Sequence, residues 1–228
     1  MGERERRHIL LPIFPLPDVV FFPETELPLH VFEPRYRELL SDALDGDRTI
    51  GIQLLDPARP ADPDGRPAVH AIGCAGTIID YEPLDDGRSN IVLKGEFRYR
   101  IGAERSEDGK PYRVAEVDEI PIAPLPREGP STPSPKDMRR LLTQMVTRLA
   151  VSVGRAEASI LPPDLSDEGL VNEAASRLGL DADDRYKLLA MDRLAERYTW
   201  VVSHIAAIQH RLDLLAPYRR SESEARWN

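Results

Sequence analysis

The residue types that could do chemistry in this chain are few, and their spacing argues against most of it. His204 and His210 are six residues apart, which on a helix turns them about 120° from each other and rules out a shared metal face. Cys74 is the sole cysteine and has only His70 near it, too small a set for a zinc site. "DPDG" at Asp62 to Gly65 is too short for a calcium loop, and Asp181, Asp183 and Asp184 suit the first turn of a helix, where negative charge is favourable. The Gly109-Lys110 pair is followed by Pro111 and lacks the upstream glycine of a phosphate-cradling loop. No nucleophile stands beside a base. The expectation is a protein with no metal, no cofactor and no catalytic residues.

Binding chemistry is better represented. Phe21, Phe22, Leu29, Phe32 and Tyr36 crowd the stretch "FPLPDVVFFPETELPLHVFEPRYRELL" together with His30, Glu33 and Arg35, and Arg98 stands further along. For His30, Glu33, Arg35 and Arg98 two readings are open. They form a network pinning the first helix to the sheet, because a buried charge needs a partner, or they form a polar anchor beside a hydrophobic groove. The aromatic residues pose the same choice between core and surface. With aromatics at 6% of the chain, most belong in a core. A subset left on a strand edge would offer side-chain pockets beside unpaired backbone groups. The candidate peptide-binding set is therefore Phe21, Phe22, Leu29, His30, Phe32, Arg35, Tyr36 and Arg98.

Composition narrows the partners. With 39 acidic against 30 basic residues and a net charge of −9, the chain as a whole repels nucleic acid and anionic lipid. The single cysteine precludes an intramolecular disulfide and fits a reducing, cytoplasmic setting. The opening "MGERERRHILLPIF" is broken by Pro12 and Pro15 and has no small-residue cleavage site, so it reads as a mature N-terminus. No apolar run is long enough to span a bilayer.

The elements that must position these residues follow from periodicity. "HILLPIF" and "DVVFFP" read as short apolar strands whose prolines belong at ends, edges or bulges. Pro34 opens a helix in which Tyr36, Leu39, Leu40, Ala43 and Leu44 share a face, with Gly46 as a left-handed terminator. "TIGIQLLD" is a strand and Asp56 to Ala68 a proline-rich loop. "VHAIGCAGTIIDYEPL" follows, bent at Gly73 and Gly76. "DDGR" at Asp85 to Arg88 marks a hairpin, and "NIVLKGEFRYRI" puts Phe97, Tyr99 and Ile101 on one face with Arg98 and Arg100 on the other. "YRVAEVDEIPI" closes the series. Short strands, turns and glycine bends favour a small barrel.

Beyond a Pro/Ser-rich linker the period becomes helical. Met138, Leu141, Leu142, Met145, Val146, Leu149 and Ala150 form one stripe. Ser166 is placed to cap a second helix that ends at Gly179. Asp181 is placed to cap a third, whose apolar residues recur from Leu188 through Met191 and Leu194 to Leu215. The expected class is α+β. Residues 1–125 form the barrel with one inserted helix, 126–136 the linker, 137–216 a helical bundle and 217–228 a polar tail.

In this order the motifs "LPIFPLPDVVFFPETELPLHVFEPRYRELL", "GDRTIGI", "GCAGTI" and "GRSNIVLKGEFRYRI" resemble the N-terminal substrate-binding domain of Lon-type proteases, over about residues 8 to 215. The resemblance implies a PUA-like barrel continued into a helical bundle. It also implies a domain that recognises polypeptides and presents them to an ATPase and peptidase. "EGPSTP" is similar to the Gly-Pro-Ser around the Lon catalytic serine, but Ser131 lies in the proline-rich linker, where no rigid base can serve it. The expected function is a non-catalytic recognition module or adaptor, monomeric or dimeric. Its clients would be unfolded or hydrophobic segments, and its partner a separate protease or ATPase. The alternative is a PUA-like RNA binder using Arg4, Arg6, Arg7, Arg98, Arg100, Arg105 and Arg113. Its net charge and lack of an aromatic stacking series oppose that.

Overall fold

A computed structural model describes residues 8–62, 65–105, 109–125, 134–152, 161–162 and 164–225, with side chains to residue 214. Ser131, most of the linker, part of the "DPDG" turn, Arg4, Arg6 and Arg7 lie outside the described residues. The chain divides into two units. Met1–Ala123 with Gly179–Asp192 make the first, and Pro124–Leu178 with Arg193–Asn228 the second.

The first unit is built on a six-stranded sheet of β1 (His8–Leu16), β2 (Glu26–Val31), β3 (Thr49–Leu54), β4 (Ile72–Pro83), β5 (Ser89–Arg105) and β6 (Arg113–Glu119), ordered β2-β5-β4-β3-β1-β6. β5 is 17 residues long. Its first half pairs with β2 and its second half with β6, while β4 runs along its other side. Pairing therefore passes from β5 through β4, β3, β1 and β6 and returns to β5, with β2 as an open flank.

Pro12 and Pro15 lie inside β1, and the register explains how. β6 pairs with His8 to Ile13 and β3 with Ile13 to Leu16, so each proline has a ladder partner on one side only, the edge-like setting in which a strand tolerates proline. "DVVFFP" differs from its expected strand. Residues 18–23 lie outside any strand, and Val20, Phe21 and Phe22 are nevertheless buried. It is seated on Gly95, where an added Cβ would lie 2.1 Å from the Phe22 carbonyl oxygen, so only glycine permits the approach. The Gly95 amide donates to the Thr25 carbonyl at 2.9 Å, and the Glu24 amide to the Gly95 carbonyl at 2.8 Å.

The hairpin at Asp85 to Arg88 forms, with Gly87 at φ 78°. A register shift falls between Ala75 and Gly76, as expected of a bend there. Leu11, Ile13, Ala75, Tyr99, Ala115 and Val117 are the centre of the core. Cys74 is fully buried in β4.

Helix α1 (Pro34–Asp45) buries Tyr36, Leu39, Leu40 and Ala43. Gly46 follows it at φ −108°, not in the left-handed region. That conformation falls to Arg48 at φ 59°, whose amide donates to the Ala43 carbonyl at 2.9 Å.

The second unit contains α2 (Pro135–Ser152), which starts inside the expected linker with Ser134 Oγ accepting from the Asp137 amide, and α3 (Asp167–Arg177), capped by Ser166. The third helix is not continuous. It is α4 (Ala182–Ala190), capped by Asp181 and belonging to the first unit, and α5 (Leu194–Ala225), belonging to the second. Within the second unit Arg197 is fully buried and donates to Asn172 Oδ1 at 2.7 Å and Glu168 Oε1 at 3.3 Å. Leu142, Val201 and Ile205 are buried there, whereas Leu141 is exposed.

Candidate functional site

The segment that carries the candidate residues is divided by burial. Phe21 and Phe22 are core residues, Tyr36 is buried and stacks on Phe14 with centroids 4.0 Å apart, and Arg98 is 1% exposed. None of the four offers its side chain to a client. Leu29 is half-buried, while His30, Phe32 and Arg35 are exposed, Phe32 to 59%.

His30, Glu33, Arg35 and Arg98 do not make one network. Glu33 and Arg35 pair with each other at 2.8 Å at the start of α1, and the Arg35 guanidinium lies 4.5 Å from the Tyr36 ring centre. Arg98 anchors α4 and not α1. Its Nη1 donates to the carbonyls of Leu189 at 2.7 Å and Met191 at 3.0 Å, and its Nη2 to that of Pro121 at 3.3 Å. A cation at the last carbonyls of a helix satisfies orphan acceptors and complements the helix dipole. "LLAMDRLAERY" has neither glycine nor proline to stop a helix. The carbonyls turned to Arg98 mark where it stops.

His30 belongs to a different chain of contacts. In the register, Glu82, Asn90 and His30 stand on one rung across β4, β5 and β2, and Asp80, Val92 and Pro28 on another. On the first rung His30 Nδ1 is 2.8 Å from Asn90 Oδ1, and Asn90 Nδ2 donates to Glu82 Oε2 at 2.8 Å. Arg88 Nη1 lies 3.5 Å from His30 Nε2. One tautomer satisfies the whole chain: Arg88 donates to Nε2, Nδ1–H donates to Asn90, and Asn90 donates to Glu82. Arg88 is also held by Asp86 at 2.6 Å. That hydrogen bond brings the Asp86 carboxyl down to about 2.

Phe32 continues this face, its ring roughly parallel to His30 with centroids 6.1 Å apart. Beside them is a shallow recess of about 340 Å³, whose walls include Pro28, Leu29, Asp80, Glu82, Asn90 and Val92. Asn90, Glu82, Asp80 and Arg88 were not among the residues singled out. The Asp85 to Arg88 hairpin sets Glu82 against Asn90, but only the long-range pairing of β2 with β5 brings them to His30, and no local pattern encodes that. Among the described residues no group of three or more His, Cys, Asp or Glu side chains is placed to hold a metal. What the face offers is an apolar ledge whose histidine is fixed in orientation.

Residues 10–207 match the family model of the ATP-dependent protease La (LON) substrate-binding domain. The chain belongs to the Lon substrate-binding domain family. It is 26% identical to the Lon protease of Cytophaga hutchinsonii over 88% of its own length, and 25% identical to that of Flavobacterium johnsoniae over 92%. It spans about a quarter of the length of these curated relatives. The fold matches a Lon N-terminal domain protein from Xanthomonas campestris, with a TM-score of 0.58, 23% identity and coverage of 86% of this chain and 98% of that one. It also matches the N-terminal domain of a Mycobacterium avium complex Lon protease, with a TM-score of 0.63, 17% identity and coverage of 87% and 98%. The mixed α+β architecture is thus that of Lon N-terminal domains. None of the described helices is long and apolar enough to cross a membrane.

Proposed function

We propose that this chain binds exposed apolar segments of unfolded polypeptides through the face made by Leu29, His30 and Phe32, without catalysis. In this reading it acts as a recognition module for a protease or ATPase partner in protein quality control. The observation that carries it is Phe32, a large aromatic side chain 59% exposed at the end of an edge strand in a chain of the Lon substrate-binding family. Exposed aromatics beside an open strand edge favour association with extended chain. The same reading takes the returning ladder of β5, β4, β3, β1 and β6 as a PUA-like barrel, and α2, α3 and α5 as a bundle.

The RNA-binding alternative loses support from its own arginines. Arg98 is buried, Arg105 pairs with Glu116, and Arg113 pairs with Glu104 at 3.1 Å.

The test is a titration of labelled unfolded protein and labelled single-stranded RNA at low and high salt. Unfolded protein should bind with a Kd of about 1–50 μM, since ordering a flexible client costs much of the contact energy. That affinity should change little with salt, and Phe32→Ser should weaken it about five-fold. Tight RNA binding that collapses with salt, with no affinity for unfolded protein, would replace this reading by the alternative.

A further inference from the structure

The recess beside β2 carries charge that the protein itself leaves unanswered. Asp80 and Glu82 are two apart on β4 and both line it, as the two-residue period of a strand requires. Asp80 Oδ1 accepts from the neighbouring Tyr81 amide at 3.0 Å, and Glu82 accepts from Asn90. Among the described residues neither forms an ion pair. The nearby cations are engaged elsewhere, Arg88 with Asp86 and Lys94 with Glu26 at 3.7 Å. Between these carboxylates and the open side of β2 lies an apolar strip, since Val92 stands opposite Asp80 and Pro28 opposite Val92.

The edge itself is a poor template for a continuous backbone ladder, because Pro28 has no N–H to give. A docked segment is therefore read by its side chains. Neighbouring strands are about 4.8 Å apart, so β2 and β4 are separated by about 10 Å. A long side chain entering over Pro28 can lay its methylenes along Val92 and bring its head group to Asp80 and Glu82.

We propose that this recess receives a lysine or arginine side chain of the bound segment, so that the preferred client is an extended apolar stretch interrupted by a cation. The inference rests on the polypeptide-binding reading above and adds charge selectivity to it. Two exposed ion pairs are worth about a five-fold preference together, and one that salt should screen.

Three short labelled apolar peptides, differing only in a central lysine, norleucine or glutamate, separate the possibilities by anisotropy titration. The lysine peptide should bind about five-fold tighter than its norleucine isostere, with the glutamate peptide weakest, and the lysine to norleucine ratio should fall towards one in about 0.5 M NaCl. The double variant Asp80→Asn, Glu82→Gln keeps an acceptor for Asn90, and its circular dichroism and urea midpoint verify folding. It should bring the ratio to about one. Norleucine binding as tightly as lysine, or a ratio unchanged in the folded double variant, would overturn the inference and leave polypeptide binding standing. Binding of labelled unfolded protein but of none of the peptides would also overturn it. Failure of the unfolded protein to bind as well would remove the reading on which it rests.

Discussion

The guanidinium of Arg98, in the middle of β5, donates to the main-chain carbonyl of Leu189 at 2.7 Å, across 91 residues of sequence. Its other acceptors include the carbonyls of Met191 and Pro121 and, at 3.4 Å, the carboxylate of Asp192. Asp192 is 65% exposed at its side chain while Arg98 is 1% exposed, so the carbonyls and not the ion pair dominate the arrangement.

Arg98→Met should therefore do more than remove a charge. It removes the buried cationic donor to the Leu189 and Met191 carbonyls at the C-terminal end of α4, which costs about 3 kcal/mol. The loss should appear as a lowered urea midpoint. It should also appear as faster amide exchange across Leu188 to Asp192 than across α1, because α1 does not depend on this contact. Unchanged exchange in α4 would show that its attachment to the sheet does not rest on Arg98.

Phe22 and Phe32 should respond oppositely to the same substitution. Phe22 is 1% exposed in the core, so Phe22→Ser should destabilise by about 3–5 kcal/mol through lost burial and an unfilled cavity. Phe32→Ser should change stability by no more than about 0.5 kcal/mol while weakening polypeptide binding. Paired denaturation and binding measurements on the two variants decide it. A strong stability loss at Phe32 would assign that ring to packing.

His8 gives the sheet a pH-dependent contact. Its Nδ1 lies 3.1 Å from Asp118 Oδ1 on the paired strand β6, and Glu116 is 3.4 Å from its Nε2. The hydrogen bond to Asp118 raises its pKa above the usual histidine value against the opposing effect of desolvation, with the charges of Glu116 and Asp118 adding to the rise. A raised pKa means that the folded state holds the proton more tightly than the unfolded chain. The contribution is thus fully present below the ordinary histidine pKa and is lost as pH rises through the raised one. Proton NMR titration should place His8 above a free histidine, and Asp118→Asn should bring it back down. A normal His8 titration in the parent protein would contradict the pairing.

Much of this molecule is written in short stretches of its sequence. The buried face of α1, the Asp85 to Arg88 hairpin and the side-chain caps at Ser166 and Asp181 are each settled within a few residues. Periodicity, a glycine with positive φ and a cap hydrogen bond act over that range. The burial of Cys74 in β4 follows similarly from a small apolar residue in an apolar strand.

Other features depend on partners far along the chain, and there local signals were silent or misleading. "DVVFFP" has the composition of a strand, yet it lies outside any strand, its Phe22 carbonyl packed against Gly95, where only glycine leaves room for it. The helical period runs unbroken from Leu188 to Leu212, yet the helix stops after Ala190, where a buried arginine on β5 takes the Leu189 and Met191 carbonyls. Which aromatics reach solvent was undecidable from their types, since Phe22 and Phe32 are chemically identical. His30 acquired Asn90 and Glu82 only through the register of three strands. Sequence by itself determined the elements whose free energy is local. Tertiary structure decided which of their surfaces are buried, because burial and the pairing of buried polar groups are properties of two distant segments brought together.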